Sequence, residues 1–249
     1  MITSVVGCAD PPVSRAAAET LERETHLDDL PSHVASRDDA VVRVIAHGNM
    51  CSGTVVGEAL VLTAGHCVYE QAPGYVYVEL GKGALPWGRV GARNVEVCSG
   101  WRGGYDHDIG FVVLDRRLPD DVPRLRVREE RGDDVGEIGT TFVARGFGTG
   151  MEQFVVPDLG NVRSSHEVER MGSLQWSTAD TFGLSMRSAA PDSGGPVQPE
   201  GSDEVFGITT QAAESSDLGT QQTITVVSRI SACRATLWRA RAVASTIHG

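Results

Sequence analysis

Long apolar runs are missing from this 249-residue chain: no stretch approaches the roughly 20 apolar residues that a membrane-spanning helix needs. Basic clusters are missing too. The longest run of Lys or Arg is the pair Arg116–Arg117, and 22 basic residues against 33 acidic ones give a formal charge of −11. A surface of that sign repels phosphate backbones, which argues against nucleic acid as a partner. No two cysteines are separated by only two residues, which removes zinc ribbons and thioredoxin-like pairs. Gly146-Phe147-Gly148-Thr149-Gly150 lacks the third glycine of a dinucleotide loop, carries no P-loop lysine and opens no helix. It is read as a strand ending in a turn. His166-Glu167-Val168-Glu169-Arg170 lacks a second histidine four residues on, so it is no zincin helix. No motif implies a metal or a cofactor.

Sustained helical periodicity is also scarce. Hydrophobic residues at 41% and charged residues at 22% suit a folded chain with a sizeable core. The 29 glycines against 11 prolines favour short strands and tight turns. From Asp39 onward, short β-branched runs broken by glycine recur, from Val41–Ile45 through Ile109–Leu114 to Thr223–Val227. This spacing predicts an all-β barrel or sandwich. Only Ile230 to about Ile247 reads as a helix, with Trp238 among its apolar residues. Residues 1–37 differ: Val13–Leu30 is rich in Ala, Glu and Arg and has no strand-like alternation, as in a short helix or a disordered leader.

Of the five cysteines, an even set of four plus one left over fits two disulfides and an oxidising compartment. Val5-Val6-Gly7-Cys8 has the form of a bacterial lipobox, yet only seven residues precede Cys8 and they carry no apolar core. Cys8 is thus an ordinary tail cysteine, or a lipid anchor if the chain starts further upstream.

Three segments carry chemistry. Leu62-Thr63-Ala64-Gly65-His66-Cys67 ends an apolar run, Asp106-His107-Asp108-Ile109-Gly110 precedes a buried one, and Pro191-Asp192-Ser193-Gly194-Gly195-Pro196 comes last. Each alone is weak. In the order His, Asp, Ser, and together with Cys51-Ser52-Gly53-Thr54, Gly146-Phe147-Gly148 and Gly207-Ile208-Thr209-Thr210, they resemble the trypsin/chymotrypsin family of serine proteases over residues 39–249. The resemblance implies two six-stranded antiparallel β-barrels with a C-terminal α-helix. Residues 1–37 would be a leader or pro-segment, and 38–249 the protease domain, divided near 120–135. It further implies a protein or peptide substrate and a secreted or envelope-associated location.

A serine hydroxyl is a weak nucleophile and needs a base to take its proton. The resemblance assigns His66 as that base, Asp108 as the group that fixes its tautomer, and Ser193 as the nucleophile. Asp108 is preferred to Asp106 because it directly precedes Ile109, and His107 is placed outside the triad. Gly194 and Gly195 would let the backbone turn closely at the reacting carbonyl. The resemblance also pairs Cys51 with Cys67 and Cys98 with Cys233, leaving Cys8 over.

The family pattern fails in three places. No Ile/Val-Ile/Val-Gly-Gly sequence occurs in residues 15–40, so Asp192, the usual partner of a freed N-terminal amine, needs another partner or leaves its loop unlocked. Arg187 stands where trypsins carry an acidic specificity residue, with Thr210, Gln211 and Ala212 on one wall of the pocket and Thr225 on another. Arg187 either faces the pocket, favouring acidic or small side chains, or points into solvent. Pro191 falls where a glycine N–H normally joins the Ser193 N–H to bind the oxyanion, and proline has no N–H. Unless the loop takes another path, Ser193 is the remaining family-type donor. The leading expectation is a serine endopeptidase, possible in a slow or partner-activated form; the alternative is a protease-like binding or regulatory protein that has lost turnover.

Overall fold

The first half of the chain closes a barrel. Its strands are β1 (Val41–Ala46), β2 (Asn49–Gly57), β3 (Leu60–Thr63), β4 (Val76–Leu80), β5 (Gly88–Val97) and β6 (Gly110–Leu114), in the order β1-β2-β3-β6-β5-β4. The molecule is seen here as a computed structural model that describes residues 40–83, 86–130, 135–148, 151–156, 160–215 and 222–248. Cys8 and the expected 1–37 leader lie outside the described residues. β4 alternates between buried and half-buried positions, as a strand with one face on a core should. β3 and β6 are buried along their whole length. Both read as unbroken apolar runs because each also has a covered outer face.

One helical turn, α1 (Gly65–Val68), follows β3, and a two-residue strand, β7 (Arg126–Val127), lies in the connection to the second half. There follow β8 (Thr141–Gly146), a two-stranded sheet of β9 (Met151–Val156) and β10 (Gly160–Ser165), then β11 (Val168–Ser177), β12 (Thr181–Leu184), β13 (Pro196–Pro199), β14 (Glu204–Val205), β15 (Gly207–Ser215) and β16 (Gln222–Arg229). Six of these close a second barrel in the order β11-β12-β16-β15-β13-β8, while β14 pairs with β7. Its core is built on Phe142, Leu174, Phe182, Leu184, Val197 and Val227. The two six-stranded barrels and the C-terminal helix are the architecture that the family resemblance implies.

The chain ends in α2 (Arg234–Ala244), whose Leu237 and Ala240 join the core of the first barrel and cover β3 and β6. The Glu129 carboxylate receives the Trp238 indole N–H at 3.0 Å and an ion pair from Arg241, which fastens the helix to the inter-barrel connection. Burial alone would raise the pKa of Glu129, but these two donors outweigh it and hold the carboxyl below its ordinary value.

Arg43 on β1 ties the barrels together. It is 1% exposed, its guanidinium lies 4.2 Å over the ring of Phe147 just beyond β8, and it donates to the carbonyls of Gly81, at 2.8 Å, and Gly83. Burial lowers its pKa, against the opposing charges of Glu79 and Glu167.

Two disulfides, Cys51–Cys67 and Cys98–Cys233, pair as the resemblance implies. The first closes 16 residues and joins β2 to α1; the second closes 135 and ties the end of β5 to the start of the C-terminal segment. Chain entropy makes the longer loop the more stabilising. Replacing Cys98 and Cys233 by Ala is expected to cost about 5 kcal/mol of unfolding free energy, and replacing Cys51 and Cys67 about 3 kcal/mol. Denaturant titration of the two double variants checks the order, and equal losses would contradict the entropic account.

Candidate active site

The apolar run of β3 ends at Thr63, and the chain turns at once into α1, which carries His66 at the barrel's edge. The Asp108 side chain, from the residue pair preceding β6, grips it twice. Its Oδ1 accepts the His66 backbone N–H at 2.8 Å, and its Oδ2 lies 2.7 Å from the ring Nδ1. Asp108 is 1% exposed, whereas the His66 side chain is 39% exposed. A buried carboxylate on Nδ1 puts the proton there and leaves Nε2 as the acceptor facing the cleft. His107, left-handed at φ 62°, stays outside this pair and lies 3.7 Å from Asp180.

Ser193 reaches the same cleft from the second barrel, on the turn before β13, and is 7% exposed. Its hydroxyl donates to the Thr210 carbonyl at 3.0 Å. No hydrogen bond joins it to His66 in this arrangement, so the Oγ must rotate about χ1 to meet the imidazole. Apo catalytic geometries are commonly this loose. Gly194 follows at φ 86°, and a side chain there would collide with the Ser52 carbonyl and the Thr63 hydroxyl. The close approach that demands glycine is therefore to the first barrel.

The residues before Ser193 form a single 3-10 turn, Ala190–Asp192. Asp192 N–H donates to the Ala189 carbonyl at 2.8 Å, and Ser193 N–H to the Ala190 carbonyl at 3.2 Å. The resemblance leaves Ser193 N–H as the remaining family-type donor; here that N–H is spent inside the turn on the Ala190 carbonyl. Pro191 is at home in such a turn, since its missing N–H goes unneeded and its φ is fixed near the helical value. The Ser52 hydroxyl, absent from the sequence-level candidates, holds the turn from the first barrel. It donates to the Pro191 carbonyl at 2.6 Å and accepts the Phe147 N–H at 3.0 Å.

Asp192 is 3% exposed and does have a partner. Its Oδ1 accepts the Gly148 N–H at 2.7 Å, its Oδ2 accepts the Ala189 N–H at 2.8 Å, and the Arg170 guanidinium lies 2.8 Å from Oδ2. Gly148 is required there, because a Cβ at that position would run into the carboxylate.

The cleft has a volume of about 670 Å³ and brings together His66, Ser193, Ser188, Thr210, Gln211 and Ala212, faced by Trp101 and Tyr105. Arg187 is exposed and is not among the lining residues, so the expectation that it charges the pocket is set aside in favour of its solvent alternative. Thr225 is fully buried behind the wall; its hydroxyl lies 2.9 Å from the Met186 carbonyl and 3.1 Å from the Ser188 hydroxyl. Thr210 turns its own hydroxyl away from the cleft onto Ser228, at 3.0 Å. Among the described residues, the single group of potential metal ligands is Cys51, His66 and Cys67, and its two sulfurs are spent in a disulfide.

The family model described as Trypsin matches residues 33–237. A glutamyl endopeptidase of Bacillus licheniformis is 30% identical over a stretch that covers 33% of this chain and 28% of that protein's length. The match thus spans less than a third of this curated relative's length. A solved structure of Glu endopeptidase in complex with MPD superposes over 87% of this chain and 95% of its own, at 17% identity and TM-score 0.63. A scabies mite inactivated protease paralogue does so over 85% and 95%, at 13% identity and TM-score 0.64. At these identities the two structures share the fold alone.

Replacing Pro191 by Gly adds the missing N–H and frees φ, so the turn can open and offer two donors. One oxyanion donor is worth roughly 10²–10³ in kcat. With an ester and a peptide substrate, Pro191→Gly is expected to raise kcat tenfold or more. An unchanged or lower kcat would mean that this proline does not limit the site.

Proposed function

The chain belongs to the trypsin family of serine proteases, and we propose that it hydrolyses peptide bonds as a serine endopeptidase, with residues 38–249 as the protease domain. The observation that carries this reading is the double grip of buried Asp108 on His66, on the same cleft as Ser193. A module that only binds has no use for an imidazole held in one tautomer beside a serine.

In this mechanism the Ser193 hydroxyl swings from Thr210 to His66 and attacks the substrate carbonyl carbon while Nε2 takes its proton. The Asp108 carboxylate stabilises the imidazolium. Collapse of the tetrahedral intermediate breaks the C–N bond, His66 returns the proton to the leaving amine, and an acyl-Ser193 ester remains. Water, deprotonated by His66, then attacks that ester and releases the acid. For the oxyanion to be bound, the Ala190 carbonyl must leave the Ser193 N–H, so slow turnover, or turnover that a partner accelerates, follows from the closed turn.

That same turn favours the second reading, a protease-like binding protein without turnover. A fluorophosphonate probe separates the two. The unmodified protein is expected to be labelled at Ser193, and both Ser193→Ala and His66→Ala to lose labelling and all but a ~10³–10⁴-fold residual of turnover over water. The Ser193→Ala/His66→Ala double variant should be no worse than either single one. Absence of labelling in the unmodified protein favours the binding reading.

Two disulfides suit an oxidising compartment, so the protease is placed outside the cytoplasm. Among the described residues no helix is long and apolar enough to cross a membrane.

The pocket next to Ser193 sets the side chain before the scissile bond. Among the described residues that line the cleft, His66 is the only basic side chain, and the groups offered to a ligand are otherwise neutral: the hydroxyls of Ser188 and Tyr105 and the amide of Gln211. Neutral groups are poor compensation for burying a carboxylate. A small uncharged residue is therefore proposed there, in contrast to the glutamyl endopeptidase relative. A peptide library should show Ala, Ser, Thr or Val before the cleaved bond, and Thr225→Gly should extend the range to larger side chains. A preference for Glu, Lys or Arg in the unmodified protein would overturn this assignment.

A further inference from the structure

Asp192 sits directly before the nucleophile, so whatever holds its carboxylate holds the Ser193 loop. The Gly148 and Ala189 N–H groups satisfy its lone pairs but bring no net charge. The charge at 2.8 Å is the guanidinium of Arg170. Both side chains of this pair are shielded, at 18% and 4% exposure, so the attraction is screened far less than at the surface. Arg170 is also fixed in place. It lies on β11 opposite Ala144 of β8, and β8 leads straight into the Gly146-Phe147-Gly148 segment that donates to Asp192.

We propose that Arg170 is the positioning residue of the serine loop, an internal counter-ion to Asp192 that does the work the resemblance assigns to a freed N-terminal amine. The inference rests on the serine endopeptidase reading for its catalytic consequence but not for the ion pair itself. A guanidinium keeps its charge at every pH at which peptide hydrolysis is measured, whereas an α-amine loses its charge from about pH 8. The two counter-ions therefore predict different behaviour. With Arg170 in the role, the loop stays assembled in alkaline solution and is indifferent to amine chemistry.

The sequence makes the test clean, because Lys82 is its single lysine. In the Lys82→Arg protein the terminal α-amine is the one amine left for acetylation, hydroxylamine removes acetyl groups from phenols and thiols, and Arg170 is untouched. The rate of fluorophosphonate labelling of Ser193 is expected to change less than twofold on acetylation and to show no fall between pH 8 and 10. Arg170→Gln should slow labelling tenfold or more. Arg170→Lys should restore most of the rate near neutrality and add a falling limb near the lysine pKa of ~10.4, which a merely structural loss would not produce. Loss of labelling on acetylation, or unchanged labelling in Arg170→Gln, would overturn the proposal. If even the unmodified protein fails to label, the endopeptidase reading falls, and thermal unfolding decides the ion pair alone. Arg170→Gln and Asp192→Asn should each lower Tm, with the double variant lowering it by clearly less than their sum; additive losses would show that the pair does not hold the loop.

Discussion

A carboxylate buried to 3% exposure is the constraint on which the rest of the site depends. Isolated in a protein interior, the Asp192 charge would be strongly unfavourable, so the fold must deliver donors and a counter-charge to one point. Gly148 comes from the end of β8, Arg170 from β11 and Ala189 from the loop itself. The demand reaches the first barrel as well. Phe147 spends its N–H on the Ser52 hydroxyl and receives the Arg43 guanidinium on its ring, so the segment that solvates Asp192 is clamped from β1 and β2. The Ser52 N–H also donates to the Ser193 carbonyl, at 2.8 Å. The two barrels are sewn together around the residue before the nucleophile.

The two halves of the proposed catalytic site are in different states of readiness. The first barrel presents a finished base: α1, the Cys51–Cys67 disulfide and both Asp108 oxygens leave His66 little freedom. The second barrel presents a serine whose hydroxyl and N–H are both satisfied within the protein, by Thr210 and Ala190. Buried polar groups do not wait unpaired for a substrate. A serine at 7% exposure with no ligand present takes the partners that its own loop offers.

The all-β character was legible in local pattern, whereas the two barrels, the disulfide pairings and the His66–Asp108 pairing were legible only through the resemblance that the short motifs carry. Val41–Ala46 is apolar apart from Arg43, and Leu60–Thr63 is apolar up to its closing threonine. β11, β12 and β13 are weakly marked in the sequence for the opposite reason. Val168–Ser177 faces water along much of its length, Thr181–Leu184 carries a glycine, and Pro196–Pro199 is bounded by prolines. Arg170 was hidden because nothing in the order of residues tells which of 22 cations will meet a carboxylate that is distant in the chain. Ser52 was read only as part of a motif, and its side-chain role needed the contact with Pro191. Arg187 shows the converse: a place in the chain aligned with a specificity residue does not fix the direction of a long, solvated side chain.

The closed turn and the missing donor are unequal obstacles, and their magnitudes decide which one dominates. A neutral intramolecular hydrogen bond such as Ser193 N–H to the Ala190 carbonyl is worth only about 0.5–1.5 kcal/mol net, roughly tenfold at most in population. An absent oxyanion donor costs about 2.7–4 kcal/mol of transition-state stabilisation. On the bond alone, the turn would open readily under a substrate. Yet rotating the Ala190–Pro191 peptide plane requires compensating changes in ψ of Ala190 and φ of Pro191, and the pyrrolidine ring forbids the second. Pro191 thus acts twice, withholding a donor and stiffening the hinge that would release the other. In the proposed mechanism the limiting feature is therefore a covalent ring, which neither Arg170 nor Asp108 can offset by holding its partner more firmly.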